Sequence, residues 1–246
     1  MLMKFLGAAA STALLFGASQ ASAAVLTIDS FSSPQWVQDA PVTVNASQVF
    51  DDSVLGDYRD LSVRNTGADG DNTAATELRV TNGKLKFSNV SGARGEGTLT
   101  YDGSATGGAV DTTGLGEGNG VNLLIGTDPF FYFGLPRDEP FDDRALFRVT
   151  VWDVAGGTDT YEEVIEPGFN QELAFSQFSG VDFSQIGALQ FFISTTDPDF
   201  NISVDGALDL IEVRAGDIAP VPLPASALLL LGGFGGLSLL RRRKKA

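Results

Sequence analysis

The most constraining feature of this chain is a period of two. VLTIDSF (25–31), KLKFSNV (84–90), FRVTVWD (147–153) and FNISVDG (200–206) alternate apolar and polar residues, and LDLIEVR (208–214) reads as a further short strand. Such alternation turns one side of an extended segment to a core and the other to water. The segments are separated by turn sequences: TNGK (81–84), AGGTD (155–159) and TTDPD (195–199). Asn-Gly and Gly-Gly supply the positive φ that tight hairpins need. Between residues 24 and 215 no stretch has the 3.6-residue period of an amphipathic helix, and DFSQI (182–186) offers one short turn at most. The pattern predicts about ten to twelve strands in a single all-β domain, an antiparallel β-sandwich of the jelly-roll kind. A β-helix would need a short internal repeat, which this sequence lacks.

Composition removes several chemistries. The 246 residues include no cysteine and no histidine. Zinc sites of the Cys/His kind, cysteine nucleophiles, Ser-His-Asp triads and disulfides are therefore excluded. Charge is unevenly distributed. All 31 acidic residues fall between Asp29 and Asp217, whereas Lys4 and five terminal residues account for six of the 16 basic ones. Ten basic residues are left in the body, for a net charge of −21. Such a body repels nucleic acid and anionic membrane.

The two ends read as addresses. MLMK is a short positive leader, FLGAAASTALLFGA is free of charge, and Ala21-Ser22-Ala23 fits the small-residue rule, with Ala21 and Ala23 as the small residues that set cleavage after Ala23. Residues 1–23 are expected to be a signal peptide and 24–216 the sandwich domain. At the other end, 225–240 is an uncharged run of 16 residues followed by Arg241, Arg242, Arg243, Lys244 and Lys245. Sixteen helical residues reach about 24 Å, short of a hydrocarbon core of about 30 Å. Val221 and Leu223 on one side and a snorkelling Arg241 on the other extend that reach. The expected order is an extended Pro-containing linker (217–224), a transmembrane helix (225–240) and a basic cytoplasmic tail (241–246), with the acidic body outside. Pro222 and Pro224 keep the segment before the helix extended.

The tail VPLPAS…LLLLGGFGGLSLLRRR resembles the PEP-CTERM class of sorting signals in its VPLPA variant. The resemblance covers residues 221–246. It implies an exported protein of the cell surface or extracellular matrix, transiently anchored in the inner membrane. An exosortase-type membrane protease would recognise Val221, Pro222, Leu223, Pro224 and Ala225 and remove the tail. It further implies an association with exopolysaccharide or biofilm. The body, with IDSFSSPQ, SVLGDYRDLSV, LKFSNVSGARGEGTLTYDGS and DLIEVRAG in order, resembles galactose-binding-like or carbohydrate-module jelly rolls.

Candidate chemistry in the body is diffuse. Carboxylates occur in pairs: Asp51-Asp52, Asp57-Asp60, Asp69-Asp71, Asp142-Asp143 and Asp197-Asp199. A glycoside hydrolase would use two of them across a sugar bond, but Asp beside Gly most often closes turns. The expectation is a protein that is not an enzyme. DGDN (69–72) places Asp69 and Asp71 on a loop that offers oxygen ligands to Ca2+. The jelly-roll resemblance implies a structural calcium where first and last strands meet, which points to Asp29 with Asp209 or Glu212. Trp152 and Trp36 are the rings for stacking on pyranose faces, with core or edge packing as the alternative for Trp36. Trp152 follows Val151 on a strand, so one of them faces outward. Phe147 and Phe192 read as core. The partners to expect are polysaccharide and the processing protease.

Overall fold

The computed structural model describes residues 24–39, 44–66, 75–90, 92–200 and 203–215. Ala21, Ala23, Asp69, Asp71, the sorting motif at 221–225, the apolar run at 225–240 and the basic cluster at 241–245 lie outside them. Among the described residues no helix is long and apolar enough to cross a membrane.

The described residues form fourteen strands: β1 (Val25–Asp29), β2 (Gln35–Asp39), β3 (Val44–Phe50), β4 (Tyr58–Asn65), β5 (Thr76–Thr81), β6 (Lys84–Asn89), β7 (Gly95–Tyr101), β8 (Phe130–Gly134), β9 (Ala145–Asp153), β10 (Thr158–Ile165), β11 (Glu172–Ala174), β12 (Ile186–Ser194), β13 (Asp205–Leu208) and β14 (Leu210–Arg214). Among the described residues helix is confined to two short 3-10 turns at Leu115–Gly118 and Phe175–Gln177. The expected all-β antiparallel architecture is what forms: every strand pairing is antiparallel.

Three sheets build it. A six-stranded sheet runs β10-β9-β12-β7-β4-β3, and two four-stranded sheets run β1-β14-β8-β11 and β13-β6-β5-β2. The four-stranded sheets are joined at Asp209, the single residue between β13 and β14. Both pack their inner faces on the six-stranded sheet. Phe131 and Phe133 of β8 meet Phe191 of β12 edge-on at 6.0 and 5.7 Å, and Phe133 meets Phe147 of β9 at 5.0 Å. Leu78 of β5 and Phe87 of β6 close over Gly97 of β7. Rings at this spacing add about 0.5–1.5 kcal/mol per pair beyond the area they bury.

The sequence signals explain most of this locally. In β9 every odd residue from Ala145 to Asp153 is buried and every even one is half-buried. TNGK closes the β5–β6 hairpin, with Asn82 and Gly83 both at positive φ (53° and 71°), the pair a type I′ turn requires. Three expectations fail. The described residues alone form fourteen strands rather than about ten to twelve. FNISVDG is not a strand from residue 200: Ser203 takes a φ of 68° and β13 begins only at Asp205. Phe192 is not core. It faces outward from β12, and Arg148 lies over its ring at 4.8 Å, while its neighbour Phe191 takes the inward position.

One polar network is built into the interior. Arg59 of β4 and Asp29 of β1 are both fully buried and pair at 2.9 Å. Tyr101 donates its hydroxyl to Asp29 Oδ2 at 2.7 Å, the Phe31 N–H donates to Oδ1 at 2.6 Å, and Arg59 Nε donates to Gln35 Oε1 at 2.8 Å. Burial, Asp29's negative charge and the hydrogen bond to it push the Tyr101 hydroxyl well above the ordinary tyrosine range. A buried ion pair must be saturated with hydrogen bonds to offset its desolvation, and this one has them.

Candidate functional site: a groove over the six-stranded sheet

The outer face of the six-stranded sheet carries a row of polar side chains that no single segment of sequence displays. Register places Thr160 (β10) opposite Thr150 (β9), Thr150 opposite Gln190 (β12), Gln190 opposite Thr100 (β7), Thr100 opposite Asp60 (β4), and Asp60 opposite Gln48 (β3). Six strands at about 4.8 Å spacing make this row about 24 Å long. Its members touch: Thr160 Oγ1 donates to Thr150 Oγ1 at 3.2 Å and Gln190 Nε2 to Thr100 Oγ1 at 3.1 Å. Asp60 is its only charged member.

Over the β12-β7-β4-β3 part of the row lies a groove of about 380 Å3, whose lining includes Gln48, Asp60, Ser62, Thr98, Thr100 and Gln190. The loop after β7 overhangs it at Gly107 and Gly108. Asp102 holds that loop. Its Oδ1 accepts the Ser104 N–H at 3.0 Å and its Oδ2 the Asp111 N–H at 2.8 Å, and the residue is only 2% exposed. Gln48 ties the loop down from β3 by donating to the Ser104 carbonyl at 2.8 Å. The loop rests on β12 at a bulge where only glycine fits: a Cβ on Gly187 would lie 2.0 Å from the Thr112 carbonyl oxygen.

Asp60 is electrostatically unusual. Burial and the charge of Asp102 push its carboxyl up to about 6, against a smaller opposing effect of Gln48. Its Oδ1, beneath Gly107, is buried and has no hydrogen-bond partner. Among the described residues no lysine or arginine pairs with it, and the groove lining contains no cation.

The other residues singled out in the sequence are dispersed. Trp152 is half-buried on this same outer face, two residues along β9 from Thr150, while Val151 points into the core. Trp36 is 59% exposed on the edge strand β2, where its indole N–H donates to Glu77 at 3.1 Å. It stands beside a second groove of about 440 Å3 on the β13-β6-β5-β2 sheet, whose flank is held by the ion pairs Lys84–Asp138 and Lys86–Glu139. The two tryptophans therefore belong to different sheets.

The described calcium candidates are engaged elsewhere. Among the described residues no three acidic side chains converge to hold a metal ion. Asp29 spends both oxygens on Arg59, Tyr101 and Phe31, Glu212 is paired with Arg214 at 2.7 Å, and Asp209 lies against Gly134. Several other carboxylates close turns, as Asp in such loops commonly does. Asp51 accepts from Ser53 and Ser32, Asp182 from Ser184, and Asp197 from the Asp199 N–H.

The groove residues Gln48, Thr98, Thr100 and Gln190 carry no sequence signal, since neutral polar residues on strands read as solvated faces. Asp60 was visible as one of the paired carboxylates; Asp102 was not.

No family model matches the sequence, and no curated protein matches it. Solved structures do resemble it. The protein solved as PfGH50B matches at 9% identity with a TM-score of 0.37, over 63% of this chain, which spans 22% of that protein's length. A family 4 carbohydrate-binding module matches at 9% identity and TM-score 0.36, over 77% of this chain and 99% of the module. The C-terminal family 22 carbohydrate-binding module of Clostridium thermocellum Xyn10B matches at 10% identity and TM-score 0.26, over 82% and 98%.

Proposed function

We propose that the described domain is a non-catalytic jelly-roll module that binds polysaccharide along the outer face of its six-stranded sheet. The observation that carries this reading is the row Gln48–Asp60–Thr100–Gln190–Thr150–Thr160. It offers hydrogen-bond donors and acceptors in line across the sheet, under a groove with no basic residue. Saccharides present hydroxyls along an extended chain, and a linear array of polar groups with a single charge matches them. Trp152 provides a ring beside the row, two residues along β9 from Thr150. Catalysis is disfavoured by Asp102, the second carboxylate in the groove. Both its oxygens accept from backbone N–H groups that hold the loop, a positioning role rather than a place across a sugar from Asp60.

The terminal segments support a wider setting. An export signal and a VPLPA-type tail fit a protein sent across the inner membrane, held briefly, trimmed by an exosortase-type protease, and left in a polysaccharide-rich layer at or outside the cell surface. Affinity electrophoresis in gels holding different soluble polysaccharides tests the binding. At least one is expected to retard the protein, and combined Gln190→Ala and Thr100→Val changes are expected to abolish the retardation. Free migration in every gel would end the reading. Intact-mass analysis of the mature chain tests the sorting, since a mass that retains residues 225–246 rules out trimming.

A further inference from the structure

The groove's electrostatics distinguish between kinds of saccharide. Its two carboxylates, Asp60 and Asp102, have no cation among the lining residues. Asp102 is spent on the loop. Asp60 is not spent on anything comparable: its buried Oδ1 has no partner, and the half-buried side chain lines the groove. The second groove, on the β13-β6-β5-β2 sheet, differs. There Asp138 and Glu139 are matched by Lys84 and Lys86. One row away on the six-stranded sheet, Arg148 is matched by Glu162 at 2.6 Å.

We propose that the groove selects saccharides bearing free amino groups, with Asp60 receiving the ammonium while Gln48, Thr100 and Gln190 bond the neighbouring hydroxyls. This rests on the polysaccharide-binding reading above and narrows it. A hydroxyl offers the Asp60 carboxylate a hydrogen bond with charge on one side only. An ammonium brings charge on both sides, and it alone relieves the repulsion between Asp60 and Asp102. Uronates and sulfated sugars meet two negative charges and no positive one, so the groove rejects them.

Proton linkage gives the proposal a signature. The titratable groups around Asp60 are few. The loop after β7 contributes Asp102 and, at its far end, Asp111; β7 contributes Glu96, opposite Arg64, which lies four residues along Asp60's own strand on the same face as Tyr58; β3 and the facing part of β12 contribute none. Asp60 ionises as pH rises through about 6. A sugar amine, taken as similar to an α-amino group, keeps its proton to about pH 8. Affinity for an amino sugar should therefore rise from pH 5 to 7 and fall above 8. A neutral sugar should show no such rise.

The test uses the full chain and three probes: a β-1,4-linked glucosamine hexamer, its fully N-acetylated form, and a uronate oligomer of the same length. Calorimetric titration at pH 5, 7 and 9 is expected to show the glucosamine hexamer binding at least about tenfold tighter than the N-acetylated one at pH 7, with no binding of the uronate. Asp60→Asn, which keeps shape and removes charge, is expected to erase both the preference and the pH optimum. A melting curve for that variant verifies its fold. Equal affinity for the amino and N-acetylated hexamers, or a preference unmoved by Asp60→Asn, overturns amine selection and leaves polysaccharide binding standing. Binding of oligolysine as tightly as the hexamer, and equally sensitive to Asp60→Asn, overturns the saccharide class. Binding of neutral glycans only, with the amino sugar rejected, also overturns the proposal. Absence of binding to every saccharide removes this proposal together with its parent.

Discussion

Arg59 and Asp60 are neighbours in sequence and opposites in circumstance. On β4 the alternation of side chains sends Arg59 inward, where Asp29, Gln35 and the Ser33 carbonyl surround it, and Asp60 outward, where a carboxylate oxygen is buried without a partner. The same strand thus holds one ionic group whose hydrogen bonding is saturated and one whose bonding is incomplete. The inner group serves the fold. The outer group costs the fold and is left available to something else, which is how functional groups commonly differ from structural ones.

The comparison can be broken at several points. Arg59→Ala should be the most damaging, because it leaves Asp29 charged and fully buried: a loss of about 3–5 kcal/mol in urea unfolding. A loss below about 1 kcal/mol would mean the network contributes little. Next is Tyr101→Phe, which removes one donor from Asp29 and should cost about 1.5–3 kcal/mol. The raised Tyr101 hydroxyl adds a pH effect: its contribution holds below about pH 10 and is lost as pH rises beyond the ordinary tyrosine range, so Tyr101→Phe should flatten the alkaline limb of the stability curve.

Asp60→Asn should do the reverse of Arg59→Ala. A carboxyl raised in the folded state binds its proton more tightly there than when unfolded. Its stabilisation is complete below about pH 4 and is lost as pH climbs through about 6. Allowing for the solvent screening of a half-exposed group, the wild type should lose about 1–2 kcal/mol relative to the variant between pH 4 and 7.5. A variant less stable than wild type at pH 7.5 would place Asp60 among the structural groups and erase the contrast. The smallest effect belongs to Lys84→Ala: its ion pair with Asp138 is at the surface, and the melting midpoint should not move measurably.

How far the sequence revealed all this depended on what each face of a strand touches. β9 was legible because water wets one side of it, giving FRVTVWD its alternation. β12 was not, because IGALQFFIS sits mid-sheet with both sides largely covered, so the pattern is nearly continuous and the inward phenylalanine cannot be chosen from the outward one. That is why Phe192 was misassigned. The groove was illegible for another reason. Gln48 and Gln190 stand far apart in the chain and meet only through three intervening pairings, β3 with β4, β4 with β7 and β7 with β12. Register is a tertiary property, and neutral side chains leave no trace of it in the sequence.

The position of β14 between β1 and β8 has a kinetic consequence. The first strand of the domain gets its neighbour only when the last one arrives, so the β1-β14-β8-β11 sheet cannot be zipped up while residues 210–214 are still in a ribosome or a translocation channel. Pairings this distant along the chain make for slow closure. A chain that emerges front end first would thus keep this one sheet open, its other strands already paired, until its final strand cleared the exit.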